Sequence, residues 1–300
     1  MGIRKVIVDK TRRNFIKLCS DADLPRMATE TYPEGVHVIR NLSYIDDGDV
    51  NHKLDIYFPE GVSFENLEKK RIVLDIHGGG FVYGFKEINM CFNMHVAKRT
   101  GLPVVSMNYT LFPAGSIVKM VNEAVSAVEY LKKVHGVEEI FIMGDSAGAY
   151  LALCLWGVLS DKDIRHEFNC FKKVMIDIGG LVMICPAVTD SQKIIAGLEA
   201  AYFESEESEH IPKYARDLTD LLDKSKFAPP PVVLITSDKD TMHEETVYLK
   251  EAMEAHGVDL RFFDGVSKGA NELVHVYVVG HPDWPESDEP LRMIKELVVK

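Results

Sequence analysis

The sequence predicts an α/β protein built on a doubly wound, mostly parallel β-sheet. Short apolar runs alternate along the chain with stretches of helical periodicity, which is the pattern of parallel strands joined by helices. The first two strand-like segments follow one another directly, so we expect them to form an antiparallel hairpin. Two glycine-flanked segments, at residues 77–81 and 144–148, each follow an apolar run and indicate where the chemistry lies.

Eight short segments are predicted to be strands. They are residues 36–44, 53–58, 71–76, 103–107, 139–143, 181–185, 232–235 and 260–263. The first two alternate in polarity and are separated by the turn-forming run Asp46–Asp49, whereas most of the later ones are continuous apolar runs typical of buried parallel strands. The last segment has the composition of an edge strand.

Helical segments lie between these strands. From Ile117 the apolar residues repeat at helical spacing until Gly136, and Ala147–Leu159 is apolar almost all round, as expected for a helix covered on both sides. His243–His256 is amphipathic, and Pro290 is predicted to open a C-terminal helix.

The chain divides into four predicted segments. Residues 1–45 form an N-terminal cap or lid segment, helical in part from Lys10 to Leu18, and residues 46–188 form the first part of the α/β core. Residues 189–228 form an inserted helical cap region, and residues 229–300 complete the core. The insertion contains the acidic cluster Glu204–Glu209, which is either a solvated face or a recognition site for a cationic or sugar substrate.

Composition excludes several classes of partner. The formal net charge of −12 at pH 7 disfavours contact with polyanions, so we expect neither nucleic acid nor an anionic membrane as a partner. The five cysteines are odd in number and scattered, which is typical of reduced core thiols. Because no secretory signal and no apolar run of membrane length is visible, we expect a cytoplasmic protein.

The two glycine-flanked segments have the composition of the two halves of an acyl-transfer site. Gly144-Asp-Ser-Ala-Gly148 fits G-x-S-x-G, in which a nucleophilic serine occupies a tight strand-to-helix turn. His77-Gly-Gly-Gly-Phe81 offers unhindered backbone N–H groups that can point at a developing oxyanion. A histidine that opens such a loop is better placed to brace it than to transfer protons, so we expect His77 to be structural.

A second G-x-S-x-G match, at residues 265–269, competes for the role of nucleophile. In this architecture an acid and then a histidine must follow the serine, each at the end of a later strand. Only about 33 residues follow Ser267, too few for two further strand ends. Ser146 is therefore the predicted nucleophile, and Ser267 is interpreted as a loop serine.

A serine hydroxyl needs a histidine to take its proton and a carboxylate to orient that histidine. The run at residues 232–235 leads into Asp238 and Asp240, and either can be the acid. The histidines that follow in chain order are His243, His256, His275 and His281. The first two lie on a predicted helix, which leaves His275 and His281 as candidate bases.

Over about residues 70–290 these features resemble the hormone-sensitive-lipase-like branch of the α/β-hydrolases, whose bacterial members are carboxylesterases. The segments at 77–81 and 144–148 are similar to its oxyanion loop and nucleophile elbow, and Asn108–Pro113 is similar to a tyrosine-containing strand end of the family. The resemblance implies the α/β-hydrolase fold, with a mostly parallel eight-stranded sheet flanked by helices and covered by a helical cap.

The resemblance also implies roles for individual residues. It implies a catalytic triad of Ser146, Asp240 and His275, with an oxyanion hole formed by Gly78, Gly79, Gly80 and Ala147, in which Gly78 shapes the loop and the other three donate. Two departures concern the triad. The chain has Asp240-Thr-Met where the family usually has Asp-Pro-Leu, and His275-Val-Tyr, after about ten extra residues, where the family usually has His-Gly-Phe.

These features predict a serine carboxylesterase that acts on small-molecule esters with short acyl chains. The alternatives are a related acyl hydrolase acting on acetylated sugars, lactones or amides, and a non-catalytic ligand-binding relative. No group of His, Cys, Asp and Glu has metal-ligand spacing, and the glycine run lacks a nucleotide-binding context, so we expect neither metal nor cofactor. The oligomeric state is left open, with a homodimer as one option.

Overall fold

A computed structural model describes residues 3–189 and 212–299 of the chain. Within these residues the strands form one eight-stranded sheet of order β1-β2-β4-β3-β5-β6-β7-β8. The strands are β1 Val36–Ser43, β2 Lys53–Pro59, β3 Arg71–Ile76, β4 Val104–Met107, β5 Glu139–Asp145, β6 Asp177–Ile184, β7 Val232–Ser237 and β8 Leu260–Gly265. The predicted fold class is confirmed.

The sheet combines an antiparallel start with a parallel body. β1 pairs with β2, and β2 with β4, in antiparallel register, and every later neighbour is parallel. The predicted hairpin is therefore confirmed, and β8 lies at the sheet edge as expected. Parallel pairing of β3, β5, β6 and β7 brings their carboxyl ends to one edge, which is where ligands bind in open α/β sheets.

Helices cover both faces of the sheet. They are α1 Ile3–Thr29, α2 Met90–Thr100, α3 Ile117–His135, α4 Ala147–Ser160, α5 Lys162–Glu167, α6 Leu218–Lys224, α7 His243–Ala255, α8 Tyr277–Gly280 and α9 Asp288–Val298. Two apolar cores result because alternate strand residues point to opposite faces. Ile72 and Leu74 of β3 pack in one core with α3 and α4, while Val73 packs in the other with α2 and α9.

Three helices differ from their prediction. Helix α1 is much longer than the expected Lys10–Leu18 and continues through Pro25. The extension is fixed by tertiary contact, since Arg26 donates to the carbonyl of Ile88 at 3.1 Å. Helix α9 begins at Asp288, so Pro290 lies in its first turn. The short helix α8 was not predicted.

The described part of the predicted insertion is helical. A 3₁₀ turn at Lys213–Arg216 precedes α6, which packs against α4 and α7. The acidic cluster Glu204–Glu209 lies outside the described residues. In the described ranges, no helix combines the length and the apolar character needed to cross a membrane.

Candidate active site

Ser146 lies at the sharp turn between β5 and α4. Its φ of 51° and ψ of −119° lie outside the regions that ordinary residues occupy, which is the strained geometry of a nucleophile elbow. The turn is held by the Ser146 N–H, which donates to the carbonyl of Ile184 at 2.8 Å. The strain therefore exposes the hydroxyl at the carboxyl edge of the sheet.

The glycines of this turn are required by close packing. A Cβ on Gly148 would overlap the carbonyl oxygen of Ile76 in β3, and a Cβ on Gly144 would overlap the backbone of Gly148. The small residues therefore let the first turn of α4 approach the sheet closely, as the G-x-S-x-G pattern predicts.

Three predicted residues meet in one hydrogen-bonded line. His275 Nε2 lies 3.0 Å from Ser146 Oγ, and His275 Nδ1 lies 2.6 Å from Asp240 Oδ1. With the proton on Nδ1, the ring donates to Asp240 and accepts from the serine hydroxyl. The line thus has the hydrogen-bond order of a serine, base and acid triad.

The loops after β7 and β8 bring Asp240 and His275 together. Ser237 Oγ donates to the carbonyl of Leu273 at 2.6 Å, and Lys239 and Val274 form an isolated parallel bridge. The histidine loop is therefore fixed directly to the acid loop, despite the extra residues that precede it.

Asp240 is buried and fully hydrogen-bonded. Oδ1 also accepts from the Met242 N–H at 2.9 Å, and Oδ2 accepts from Thr236 Oγ1 at 2.7 Å. Burial raises the pKa of this carboxyl. The hydrogen bond and charge of His275, with the hydrogen bonds from Met242 and Thr236, outweigh burial and hold the pKa below its ordinary value. The carboxylate is therefore ionised at neutral pH.

The competing candidates lie elsewhere. Asp238 is exposed and accepts from Ser267 Oγ at 2.7 Å, so these two competing candidates bind each other between the loops after β7 and β8. His281 stacks on Trp284, with ring centroids 3.8 Å apart. In the described chain, neither pair contacts Ser146 by a hydrogen bond.

Val276 follows the histidine and occupies the position where the family usually has glycine. Its φ is 55°, in the left-handed region that a β-branched residue rarely adopts. Val276 thus has a left-handed backbone, which glycine adopts without strain, and its side chain lines the cavity beside Ser146.

The glycine loop lies next to the nucleophile. Gly78, Gly79 and Gly80 line the same cavity as Ser146 and His275. The Gly78 N–H donates to Asp145 Oδ1 at 3.1 Å, so it shapes the loop and is not open to an oxyanion. Among the described residues, neither the Gly79 N–H nor the Ala147 N–H donates a hydrogen bond.

His77 braces the loop from inside. Its ring stacks on Tyr109, with centroids 4.4 Å apart, and its Nδ1–H donates to the carbonyl of Gly78 at 2.7 Å. Burial lowers the pKa of His77 to about 4, so the ring is neutral at pH 7. The Tyr109 hydroxyl completes the brace by donating to the His77 carbonyl at 2.8 Å.

A buried polar network behind the loop was missed from the sequence. Asn89 Nδ2 donates to Asp145 Oδ1 at 2.8 Å and lies 3.3 Å from Asp75 Oδ2. Asp75 also accepts from Asn93 and Ser106. Burial, and then the charge of Asp145, raises the pKa of Asp75 to about 7. An acid inside the apolar run of β3 was the available signal, because such a group must be paired when buried.

The cavity above Ser146 has a volume of about 130 Å³ among the described residues. One wall comes from α1, which was predicted only as a general lid. The α1 residues that line it are Phe15, Cys19, Asp23 and Arg26. The sequence carried no signal for these individual contacts, since they depend on how α1 docks.

One group of potential metal ligands occurs in the described ranges. The ligand atoms of Cys185, Asp240 and His275 all lie within 4.8 Å of one another. A metal bound there would replace the proton that joins His275 to Asp240, so metal binding and the hydrogen-bonded line exclude each other.

Comparison with known proteins identifies relatives of the chain. A family model described as alpha/beta hydrolase fold matches residues 73–271. An acetyl esterase from Salmonella typhi is 28% identical over 257 residues, which cover 79% of this chain and 70% of the relative.

Solved structures share the fold over the full length. Esterase B from Lactobacillus rhamnosis superposes with a TM-score of 0.87 at 21% identity, covering 99% of this chain and 97% of that chain. An esterase from the bacterial hormone-sensitive lipase family superposes with a TM-score of 0.71 at 17% identity, covering 98% and 97%.

Proposed function

The chain belongs to the alpha/beta-hydrolase fold family, and we propose that within it the chain is a serine carboxylesterase that hydrolyses short-chain acyl esters. The family expected from the two glycine segments is thus confirmed, whereas the catalytic roles and the substrate preference are part of the proposal. The observation that carries it is the line from Asp240 through His275 to a strained Ser146.

Acylation uses the residues of this line. Ser146 Oγ attacks the ester carbonyl while His275 Nε2 takes its proton, and the protonated ring then donates that proton to the departing alkoxide, which leaves as alcohol. Asp240 holds Nδ1–H toward itself and stabilises the imidazolium that forms.

The oxyanion is held by backbone amides. The N–H groups of Gly79 and Ala147 are not used elsewhere in the described chain, and with Gly80 they are the proposed donors to the tetrahedral intermediate. Water, deprotonated by His275, then attacks the acyl-enzyme and releases the acid.

The preference for short chains is supported by the size of the cavity and by the relatives. A volume of about 130 Å³ is well below the roughly 300–1,000 Å³ of sites for drug-sized ligands. The relative from Salmonella typhi, at 28% identity, carries the name acetyl esterase. A small acyl group such as acetyl therefore fits the described walls.

The test compares two serines in the same motif. Ser146→Ala is expected to lower kcat on p-nitrophenyl acetate by about 10⁴-fold or more. Ser267→Ala, in the second G-x-S-x-G match, is the matched control and should keep the parent rate within a few-fold. Equal rates for the parent and Ser146→Ala would overturn the proposal.

Active-site labelling separates the esterase from a non-catalytic ligand-binding relative. We expect a fluorophosphonate to label the parent protein stoichiometrically at Ser146 and the Ser146→Ala variant not at all. A folded parent protein without label would favour the binding relative. A panel of p-nitrophenyl esters from acetate to dodecanoate, with acetylated sugars alongside, then ranks the substrates.

A further inference from the structure

Tyr83 presents a buried hydroxyl without a protein partner at the active-site cavity. Its side chain lines the same cavity as Ser146 and His275. The residue is only 8% exposed, and within the described part of the chain its Oη makes no hydrogen bond. A buried polar atom left unpaired is costly, so one that faces a cavity beside a nucleophile is a candidate partner for a ligand.

Asp23 lies on the α1 wall of the same cavity. Its side chain is 26% exposed, and its Oδ1 lies 3.1 Å from Arg26 Nη2. Burial, and then the charge of Asp23, raises the pKa of Tyr83 to about 12. The phenol is therefore protonated at neutral pH and is coupled electrostatically to the Asp23 carboxylate, although the two groups are too far apart for a good hydrogen bond.

We propose that Tyr83 and Asp23 together bind a hydroxyl group of the substrate, so that this enzyme prefers esters carrying a hydroxyl close to the ester bond. The inference rests on the proposed esterase function and names its substrate class. A hydroxyl is both donor and acceptor, so it can accept from Tyr83 Oη–H and donate to the Asp23 carboxylate at the same time.

Charge at this subsite favours a neutral hydroxyl over an ammonium group. Arg26 is held against Asp23 and Glu30 and donates to the Ile88 carbonyl, so it cannot leave the carboxylate when a ligand enters. An incoming cation would meet a carboxylate already paired with a guanidinium. A neutral hydroxyl needs only a lone pair of the carboxylate to which it can donate. It does not require the charge of that carboxylate to be unpaired.

The size of the cavity restricts where this hydroxyl can be. The cavity offers about 130 Å³, so it fits a substrate of few atoms. That substrate has its hydroxyl at Tyr83 and its ester carbon at Ser146. The hydroxyl is therefore separated from the ester by only one or two carbons, on either the alcohol or the acyl side.

The experiment uses pairs of esters that differ only by hydroxyl against methyl. On the alcohol side the pair is 2-hydroxyethyl acetate and n-propyl acetate, and on the acyl side it is ethyl glycolate and ethyl propanoate. For each pair, the ratio of kcat/KM values is measured in the parent protein and in Tyr83→Phe, which removes the hydroxyl alone. Comparing the ratio between proteins cancels the intrinsic reactivity of each ester.

We expect Tyr83→Phe to lower the hydroxyl-to-methyl ratio by at least about 10-fold in one pair, because one substrate hydrogen bond is lost. The pair that responds identifies the side that carries the hydroxyl. Asp23→Asn should lower the same ratio and serves as the second variant if Tyr83→Phe does not fold. Tyr57→Phe is the matched control, since Tyr57 Oη is also buried and unpaired but lies outside the cavity.

The outcomes separate this inference from the function on which it rests. A parent protein active on p-nitrophenyl acetate, with ratios unchanged in both Tyr83→Phe and Asp23→Asn, overturns the inference and leaves the esterase standing. The same change in Tyr57→Phe as in Tyr83→Phe also overturns it. A larger loss of kcat/KM in Asp23→Asn for the ammonium ester 2-(dimethylamino)ethyl acetate than for 2-hydroxyethyl acetate refutes the neutral hydroxyl. A parent inactive on every ester refutes the esterase itself.

Discussion

Asp240 shows how single residues tune the proposed triad. Its carboxylate accepts from Thr236 and from the Met242 N–H as well as from His275. These partners fix the position of the carboxylate independently of the histidine. The ring of His275 is therefore oriented before a substrate arrives, which is the preorganisation that catalysis by a triad requires.

Replacing the acid tests this orientation. Asp240→Asn is expected to lower kcat on p-nitrophenyl acetate by about 10³- to 10⁴-fold, because the amide no longer holds the proton on His275 Nδ1. Asp238→Asn, two residues away in the same loop, removes a negative charge but leaves an oxygen that can still accept from Ser267, and should stay within a few-fold of the parent. Similar losses in the two variants would contradict the assignment of Asp240.

Chain order selected Ser146 as the nucleophile, and the family resemblance then selected Asp240 and His275 from the candidates that chain order had left open. Ser146 and Ser267 match the same pattern, but only Ser146 has later strand ends for its partners. The positive φ of Val276 was not predictable, because a β-branched residue gives no local signal for a left-handed backbone. The unpaired hydroxyl of Tyr83 likewise could not be predicted from the sequence, since its exposure depends on how α1 packs.

Three elements meet behind the proposed oxyanion loop. Asn89, at the start of α2, links Asp75 of β3 to Asp145 of β5, and Asp145 in turn holds the Gly78 N–H. The position of the loop relative to the sheet thus depends on buried hydrogen bonds and not only on its own glycines. Asn89 acts here as a positioning residue.

Two neighbouring asparagines allow this link to be tested. Asn89→Leu should lower kcat by about 10- to 100-fold with little change in KM, because misplaced oxyanion donors act mainly on the transition state. Asn93→Leu is the matched control, since Asn93 contacts Asp75 but not Asp145 and should lose stability with kcat nearly unchanged. Equal effects of the two variants on kcat would show that Asn89 is merely structural.

Helix α1 illustrates what local sequence cannot specify. Ten of its 27 residues are charged and Pro25 interrupts the pattern, so a shorter helix was expected. The anchor from Arg26 to the Ile88 carbonyl joins positions 62 residues apart, and such long-range contacts override local propensity. The strands were predicted more closely because most are buried on both faces and therefore read as continuous apolar runs.

At the scale of the molecule, stability depends on pH through Asp75. The pKa of this buried carboxyl is raised from 3.8 to about 7, so folding takes up a proton between these values. Its contribution to stability is therefore complete below about pH 4 and is lost as pH rises through about 7.

Asp75→Asn isolates this contribution. The free energy of unfolding of the parent minus that of Asp75→Asn should fall by up to about 4 kcal/mol between pH 4 and pH 8. Urea denaturation of both proteins at several pH values in this window measures the difference. A difference that stays constant with pH would mean that Asp75 is ionised throughout.

The hydrogen bond from Gly78 to Asp145 has a consequence for redesign. Asp145 directly precedes Ser146, so one hydrogen bond fastens the proposed oxyanion loop to the turn that carries the proposed nucleophile. The reacting groups therefore form a self-contained module, while α1 supplies walls of the cavity from outside. Substitutions among the α1 residues that line the cavity can therefore alter which esters enter, without changing the residues proposed to cleave the ester bond.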